Sequence, residues 1–358
     1  MRDEPVRERN HGQVPGGKKT LLEQVLVLFM VLVAAGCSGG QATDQCSLAD
    51  SDIVLPADRH PHQVTNEWWY YTGHLWDAQQ NRYGYEVSFF QSFVGEQVGY
   101  VAHFALSDPR QGRHLYGQRI ILPDAGAGEL DLDVNGWRLW SEGDSYRVDI
   151  AAGDIGARLT ITGQKPPVLH NGNGVIDMGS GDWSYYYSET RQQVSGNLVL
   201  DGNDVAAQGY GWHDHQWGDF DAFGSDGWDW FSLQFDDNTE LMMFILHTKD
   251  AGAQLTGCTF VDEQGCAHDL EQFELQSLRT WHSPHTGGDY PLDWTLSVPG
   301  AELDVEITVT FDDQEMDTRA TTLNTYWEGE VTASGTRAGK PVAGLGYVEL
   351  AGYGPWGP

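Results

Sequence analysis

The sequence predicts an all-β protein, an antiparallel barrel or sandwich. Short runs of alternating apolar and polar residues recur along the chain, and Gly, Asp-Gly or Asn-Gly punctuates most gaps. The 44 Gly, 14 Trp and 15 Tyr suit strands joined by tight turns. No long segment carries the 3.6-residue period of an amphipathic helix. At 358 residues there is enough chain for two domains, each with its own core.

The N-terminus reads as a targeting segment. Lys18 and Lys19 precede an apolar run from Val25 to Ala35, too short to span a bilayer. Ala34-Ala35-Gly36-Cys37 resembles a bacterial lipobox. Residues 1–36 are thus expected to be a lipoprotein signal peptide, with Cys37 lipidated and the protein held on the extracytoplasmic face of the cell envelope. The alternative is a plain secreted protein with a stray cysteine. Residues 37–59, polar and Gly/Ser-rich, read as a flexible tether.

A formal charge of -32 opposes binding to nucleic acid or to an anionic membrane surface. Residues 1–36 hold five basic and four acidic residues, so the acidic character belongs to the rest of the chain. The acidic residues are dispersed, which reads as a solvated surface. Cys258 and Cys266 flank the turn-like Asp262-Glu263-Gln264-Gly265, and in an exported protein they are expected to staple a hairpin. That leaves Cys46 unpaired. No Cys-x-x-Cys motif exists.

Strands are expected at Asn66–Leu75, Tyr83–Phe93, Tyr100–Leu106, Arg113–Ile121, Trp137–Glu142, Tyr146–Ala152 and Ala157–Gly163. Lys165 to Gly174 reads as a loop. A strand pair is expected from Tyr185 through Leu200. Asp236-Asp237-Asn238-Thr239 marks a hairpin between Trp228–Phe235 and Glu240–Thr248. Further strands follow at Thr259–Asp262, Asp269–Leu278, Trp294–Val298, Glu302–Phe311, Tyr326–Thr332 and Val342–Tyr353. The boundary between two similar halves is expected near residue 225, giving domains at 60–225 and 226–358.

Gly209 to Phe235 is the stretch richest in chemistry, with two histidines, four tryptophans and several aspartates in 27 positions. If Gly211 to Trp217 is extended, His213, His215 and Trp217 share one face, and Asp214 and Gln216 the other. Asp214 and His215 are candidates for an acid/base pair, provided a bulge brings them together. The competing reading is a hydrogen-bonded core. A metal on His213 and His215 would need a third ligand such as His103, and no metal site is assigned. Glu67, beside Trp68 to Tyr71, is either a buried acid or a rim group. His103 reads more readily as a core histidine. His170 overhangs a barrel mouth or is exposed. Tyr186 and Trp69 are expected to line a wall.

The motifs Asn66-Glu-Trp-Trp-Tyr-Tyr-Thr-Gly-His-Leu75, Ala102-His-Phe-Ala-Leu106, Pro167-Val-Leu-His170, Asp214-His-Gln-Trp-Gly218, Gly227-Trp-Asp-Trp-Phe-Ser232, Tyr326-Trp-Glu-Gly329 and Gly346-Tyr-Val-Glu-Leu350 resemble, in order, the AttH-like and carotenoid 1,2-hydratase superfamily. The resemblance covers about residues 60 to 354. It implies two lipocalin-like antiparallel β-barrel domains packed side by side, with a ligand cavity near the joining stretch and large apolar substrates. The hydratase's His-x-Trp falls on His215 and Trp217. Its downstream Tyr and Asp fall on Leu241 to Leu246, where no acid stands.

No Gly-x-Ser-x-Gly elbow, phosphate loop or dinucleotide fingerprint is found. Two functions lead, ahead of a structural envelope protein with no cavity. One is a cofactor-free enzyme acting on a hydrophobic molecule by hydration, isomerisation, cyclisation or hydrolysis. It would use Asp214, His215 and Glu67, with Trp217, His213, His103, Tyr186, Trp69 and His170 around the ligand. The other is a non-catalytic lipid carrier or chaperone. Either is expected to be a monomer that binds no nucleic acid and meets the membrane through Cys37.

Overall fold

The computed structural model describes residues 51–94, 97–122, 129–179, 181–220, 225–248 and 254–357. Cys37 and Cys46 lie outside them, as do the signal peptide and most of the tether. The described residues contain no α-helix; they form strands and three short 3-10 turns.

The first sheet begins with β1 (Asn66–Asp77), β2 (Arg82–Val94), β3 (Gln97–Asp108) and β4 (Arg113–Ile121). It continues through β5 (Asp131–Val134), β6 (Trp137–Glu142), β7 (Ser145–Ala152) and β8 (Ile155–Gly163). Two short strands, β9 (Val168–Leu169) and β10 (Val175–Gly179), precede the long β11 (Asp182–Leu200) and β12 (Asn203–Asp219). The second sheet comprises β13 (Ser225–Phe235), β14 (Glu240–Thr248), β15 (Gln254–Val261), β16 (Ala267–Asp269) and β17 (Glu274–His282). It ends with β18 (Asp289–Val298), β19 (Leu303–Val309), β20 (Glu315–Asp317), β21 (Thr325–Arg337) and β22 (Lys340–Ala351).

The strand order is β4-β3-β2-β1-β12-β11-β8-β7-β6-β5 in the first sheet and β16-β15-β14-β13-β22-β21-β19-β18-β17 in the second. Every pairing is antiparallel, and in both sheets the opening strand lies beside the closing one. The sheets are barrel- or half-barrel-shaped, as expected of two lipocalin-like units. Side chains help the first sheet curl: Asn135 Nδ2 donates to the Ile120 carbonyl at 2.7 Å, and the Arg119 guanidinium lies 4.8 Å over Trp137.

Each sheet has its own core, filled by alternate residues of its strands. Trp69, Tyr71, Tyr85, Phe89, Phe104 and Tyr146 fill the first; Phe231, Leu241, Met243, Trp294, Trp327 and Val348 fill the second. The residues between them are buried too. Tyr70, Tyr186 and Trp212 of the first sheet pack against Trp230, Met242 and Tyr347 of the second. β1 and β12 are thus covered on both faces, and residues 211–218 are all buried.

Several elements differ from the sequence reading. Residues 182–200 form one strand with a register shift between Glu189 and Gln192, instead of a strand pair. The expected Asp269–Leu278 strand is split between β16 and β17. The 165–174 loop holds β9 and a 3-10 turn at His170–Gly172. Pieces this short carry too few residues to show a period.

The Cys258–Cys266 disulfide does not form. Cys258 is a free thiol in the second core, and Cys266 is disulfide-bonded elsewhere. The register explains why. The Leu270 N–H bonds to the Cys258 carbonyl, whereas the Asp262 N–H bonds to the Cys266 carbonyl. The two cysteines are therefore offset by four positions, roughly 13 Å, about twice the reach of a disulfide.

Gly73 and Gly211 face each other across β1 and β12. A Cβ at Gly73 would lie 2.2 Å from the Tyr210 carbonyl oxygen, and one at Gly211 would lie 2.5 Å from the Tyr85 hydroxyl. Gly73→Ala is expected to lower stability by about 1–3 kcal/mol. Urea unfolding measures this, and an unchanged midpoint would contradict the close approach.

Candidate active site between the two sheets

β12 runs past β1 in unbroken register from Ala207 to Gly218. His213, His215 and Trp217 therefore face the first core, and Trp212, Asp214 and Gln216 face the second sheet. With no bulge in this segment, Asp214 and His215 point in opposite directions and do not make an acid/base pair.

On the inner face, Glu67 is fully buried and joins two histidines. His62 Nδ1 lies 2.7 Å and His215 Nε2 2.8 Å from Glu67 Oε1. The other carboxylate oxygen accepts from the His62 N–H at 2.7 Å and from Gln91 Nε2 at 3.1 Å. The remaining ring nitrogens also have neighbours. His62 Nε2 is 3.4 Å from Asp58 Oδ1, and His215 Nδ1 is 3.3 Å from the Tyr187 hydroxyl. Burial disfavours charge on His62, but hydrogen bonds and charge from Glu67 and Asp58 outweigh it and raise its pKa. Burial wins at His215, whose pKa is lowered despite Glu67. The His62 ring stacks on Trp217 at 4.3 Å. Ile53, Leu169, Tyr187 and Trp217 pack together beneath the segment before β1.

On the outer face, Asp214 anchors a hydrogen-bond network. Trp212 Nε1 donates to its Oδ1 at 2.6 Å, Ser188 Oγ to the same oxygen and the Tyr186 hydroxyl to Oδ2. Burial pushes the Asp214 carboxyl up to about 6, against the pull of these donors. Trp230 Nε1 from the second sheet donates to the Tyr186 hydroxyl at 3.0 Å. His170 bridges Ser188 Oγ at 2.6 Å and Thr259 Oγ1 at 2.9 Å. His103 bridges the Tyr326 hydroxyl at 2.8 Å and Thr321 Oγ1 at 3.0 Å. Burial pushes both imidazoles down to about 3, so they are neutral.

Three more acids meet at this seam: Glu86 on β2, Glu328 on β21 and Glu349 on β22. Glu328 and Glu349 are direct cross-strand partners. The Tyr70 hydroxyl reaches across from the first sheet and donates to Glu328 Oε1 at 2.7 Å. Burial, aided by the Glu349 charge and opposed by nearby Ser88, pushes the Glu86 carboxyl up to about 8. Burial pushes Glu349 up to about 7, with Asp214 adding to the effect. Glu328 is raised well above its usual range by burial and by the other two acids. Like charges this close, away from water, do not all ionise, so the trio holds protons at neutral pH.

Both Glu86 oxygens, Ser88 Oγ and Glu328 Oε2 are buried without hydrogen-bond partners among the described residues. Such groups are costly to leave unpaired. Glu349 is surrounded by protein yet keeps some accessible surface. Trp68, Trp228 and Phe244 at the same seam are likewise only partly buried.

The structure thus divides the residues singled out in the sequence. Asp214, Tyr186, His170 and His103 face the seam. Glu67, Trp69, His213, His215 and Trp217 face the first core. Trp69 Nε1 donates to the Arg59 carbonyl at 3.1 Å, and His213 Nδ1 pairs with the Tyr70 carbonyl at 3.0 Å. His103 lies on the opposite face of the sheet from His213 and His215, so that metal set is not assembled. His62, Glu67 and His215 instead bring ligand atoms within 4.8 Å of one another. The residues missed were His62, Glu86, Glu328 and Glu349. Glu328 and Glu349 sit in two of the recognised motifs, Tyr326-Trp-Glu-Gly329 and Gly346-Tyr-Val-Glu-Leu350. Glu86 was visible as an acid between Tyr85 and Val87.

Comparison with known proteins agrees with this architecture. The sequence model of the AttH-like family matches residues 47–353. Kievitone hydratase of Fusarium solani subsp. phaseoli is 27% identical over 261 residues, 67% of this chain and 71% of that protein. The dehydratase asqC of Emericella nidulans is 22% identical over 219 residues, 58% of this chain and 62% of that one. A crystal structure described as AttH, from Nitrosomonas europaea, superimposes with a TM-score of 0.76 at 34% identity, covering 84% of this chain and 97% of the other. The chain therefore belongs to the AttH-like family.

Proposed function

We propose that this protein adds or removes water at a carbon–carbon double bond of a large hydrophobic molecule, isoprenoid or polyene in type, bound at the seam between the sheets. The carrying observation is the acid trio Glu86, Glu328 and Glu349, gathered between the sheets among aromatic rings, where burial raises all three carboxyls. Two relatives named for hydratase and dehydratase chemistry support the reaction class.

In the hydration direction a protonated carboxyl gives its proton to one alkene carbon. The aromatic faces of Trp228 and Tyr347 stabilise the cation that develops on the other. Water adds its oxygen there and returns a proton to the carboxylate that gave one. Dehydration runs the same steps backwards. Glu349, which keeps some accessible surface, is the proton donor, and burial with the nearby Asp214 charge raises its pKa. Asp214 already accepts three hydrogen bonds, so it positions Tyr186 and Ser188 and leaves proton transfer to the trio.

A carrier reading draws on a different observation: every polar atom of His103 and His170 is already engaged by protein, and aromatic side chains dominate the seam. Turnover separates the two readings. The wild-type protein, incubated with prenylated phenols and terpenoid alkenes in H2(18)O, is expected to transfer label to product. Glu349→Gln should lower kcat by about 10²–10⁴-fold. A copurified lipid returned chemically unaltered, with no label in any alkene, would favour the carrier.

The raised carboxyls also fix the sign of a pH dependence. Glu86 and Glu349 hold protons in the folded state that the unfolded chain gives up near pH 4.5, so their contribution to stability is greatest below that pH. It falls as pH rises through about 7 to 8, because the unfolded state then binds fewer protons. Glu86→Gln should flatten this decline by at least about 1 kcal/mol between pH 5 and 9. Chemical unfolding across that range measures it, and identical slopes for variant and wild type would show that Glu86 is ionised throughout.

We further propose, from the lipobox-like sequence, that Cys37 carries a lipid and tethers the protein to the cell envelope. Cys37→Ser should abolish palmitate labelling and release the protein from the membrane fraction. Unchanged labelling would refute the anchor.

A further inference from the structure

We propose that His62, Glu67 and His215 form a binding site for a first-row divalent cation of the zinc class. The three come from separate parts of the chain. His62 lies in the segment before β1, Glu67 near the start of β1 and His215 on β12. Two imidazole nitrogens and one carboxylate oxygen converge within 4.8 Å. That donor set, two His and one Glu, suits zinc with a further position for water.

The surroundings are those of a metal site rather than of a chance cluster. In metal sites the second heteroatom of each ligand is usually held by a neighbour, which fixes tautomer and orientation. All three ligands here are held in that way. His62 Nε2 faces Asp58 Oδ1 at 3.4 Å, and His215 Nδ1 faces the Tyr187 hydroxyl at 3.3 Å. Glu67 Oε2 accepts from the His62 N–H and from Gln91 Nε2. Asp58 adds a second negative charge beside the site, which helps to balance a dication. Glu67 and His215 are fully buried, while the His62 side chain is 22% exposed and opens a route from solvent. The cation would clamp the segment before β1 onto the end of the first sheet.

This site lies on the opposite face of β1 and β12 from the carboxyl trio, so it stands or falls independently of the proposed reaction. The full chain, stripped with chelator and dialysed, is titrated with zinc chloride against a chromophoric chelator. One tight equivalent is expected. Glu67→Gln should weaken it at least 100-fold, and Asp58→Asn about 10–100-fold through the His62 ring. His62→Gln, on the partly exposed segment, keeps the test valid if Glu67→Gln fails to fold. Exposed His282→Gln and His285→Gln should leave binding unchanged. Absence of a tight equivalent, or equal zinc uptake by wild type and His62→Gln, would overturn the site and leave a hydrogen-bonded His–Glu–His relay.

Discussion

The structure depends on one constraint: β1 and β12 are buried on both faces. A strand sends alternate residues to opposite sides, so each of these strands supplies two different interiors at once. Trp69, Tyr71, His213 and His215 enter the first core, while Tyr70, Trp212 and Asp214 meet the second sheet. A one-residue slip between the strands would exchange the two sets. The Gly73–Gly211 pair, the only glycines directly opposed along this ladder among the described residues, lets the strands approach where Tyr85 crosses them.

Double burial explains the unusual number of polar groups inside. A sheet face turned to solvent can carry acids at little cost, whereas the same acids between two sheets must be protonated or paired. Both solutions occur. Glu240 is paired with Lys165 at 2.8 Å and Arg191 at 2.5 Å, a link between the two sheets that reads as structural. Among the described residues, Glu86, Glu328 and Glu349 have no such cation, and desolvation raises their pKa. The contrast separates two kinds of buried acid: a paired carboxylate stabilises the interface, and an unpaired one holds a proton.

The same wall separates two kinds of chemistry. One face presents acids to aromatic rings and a partly accessible seam. The other gathers imidazoles and a carboxylate under a short segment that also carries Asp58 and Arg59. Arg59 pairs with Glu189 at 3.3 Å and lies 5.1 Å over Tyr146, which fixes this segment to the first sheet. Residues next to each other in sequence, such as Asp214 and His215, thus belong to different sites.

Much of this was legible in the sequence. Alternation and turn residues sufficed for the all-β class and most strands, because both are local properties. The same local rule placed His213, His215 and Trp217 on one face and Asp214 on the other. The sequence could not say what each face would meet. Glu86 and Glu349 are joined through sheet packing that no local pattern encodes, and His62 reaches Glu67 and His215 only once β12 has returned beside β1. Cys258 and Cys266 looked close because they lie only eight positions apart, yet strand register set them apart. Tertiary packing decided which carboxyls lost their water, and desolvation is what turns an ordinary glutamate into an acid that keeps its proton at neutral pH.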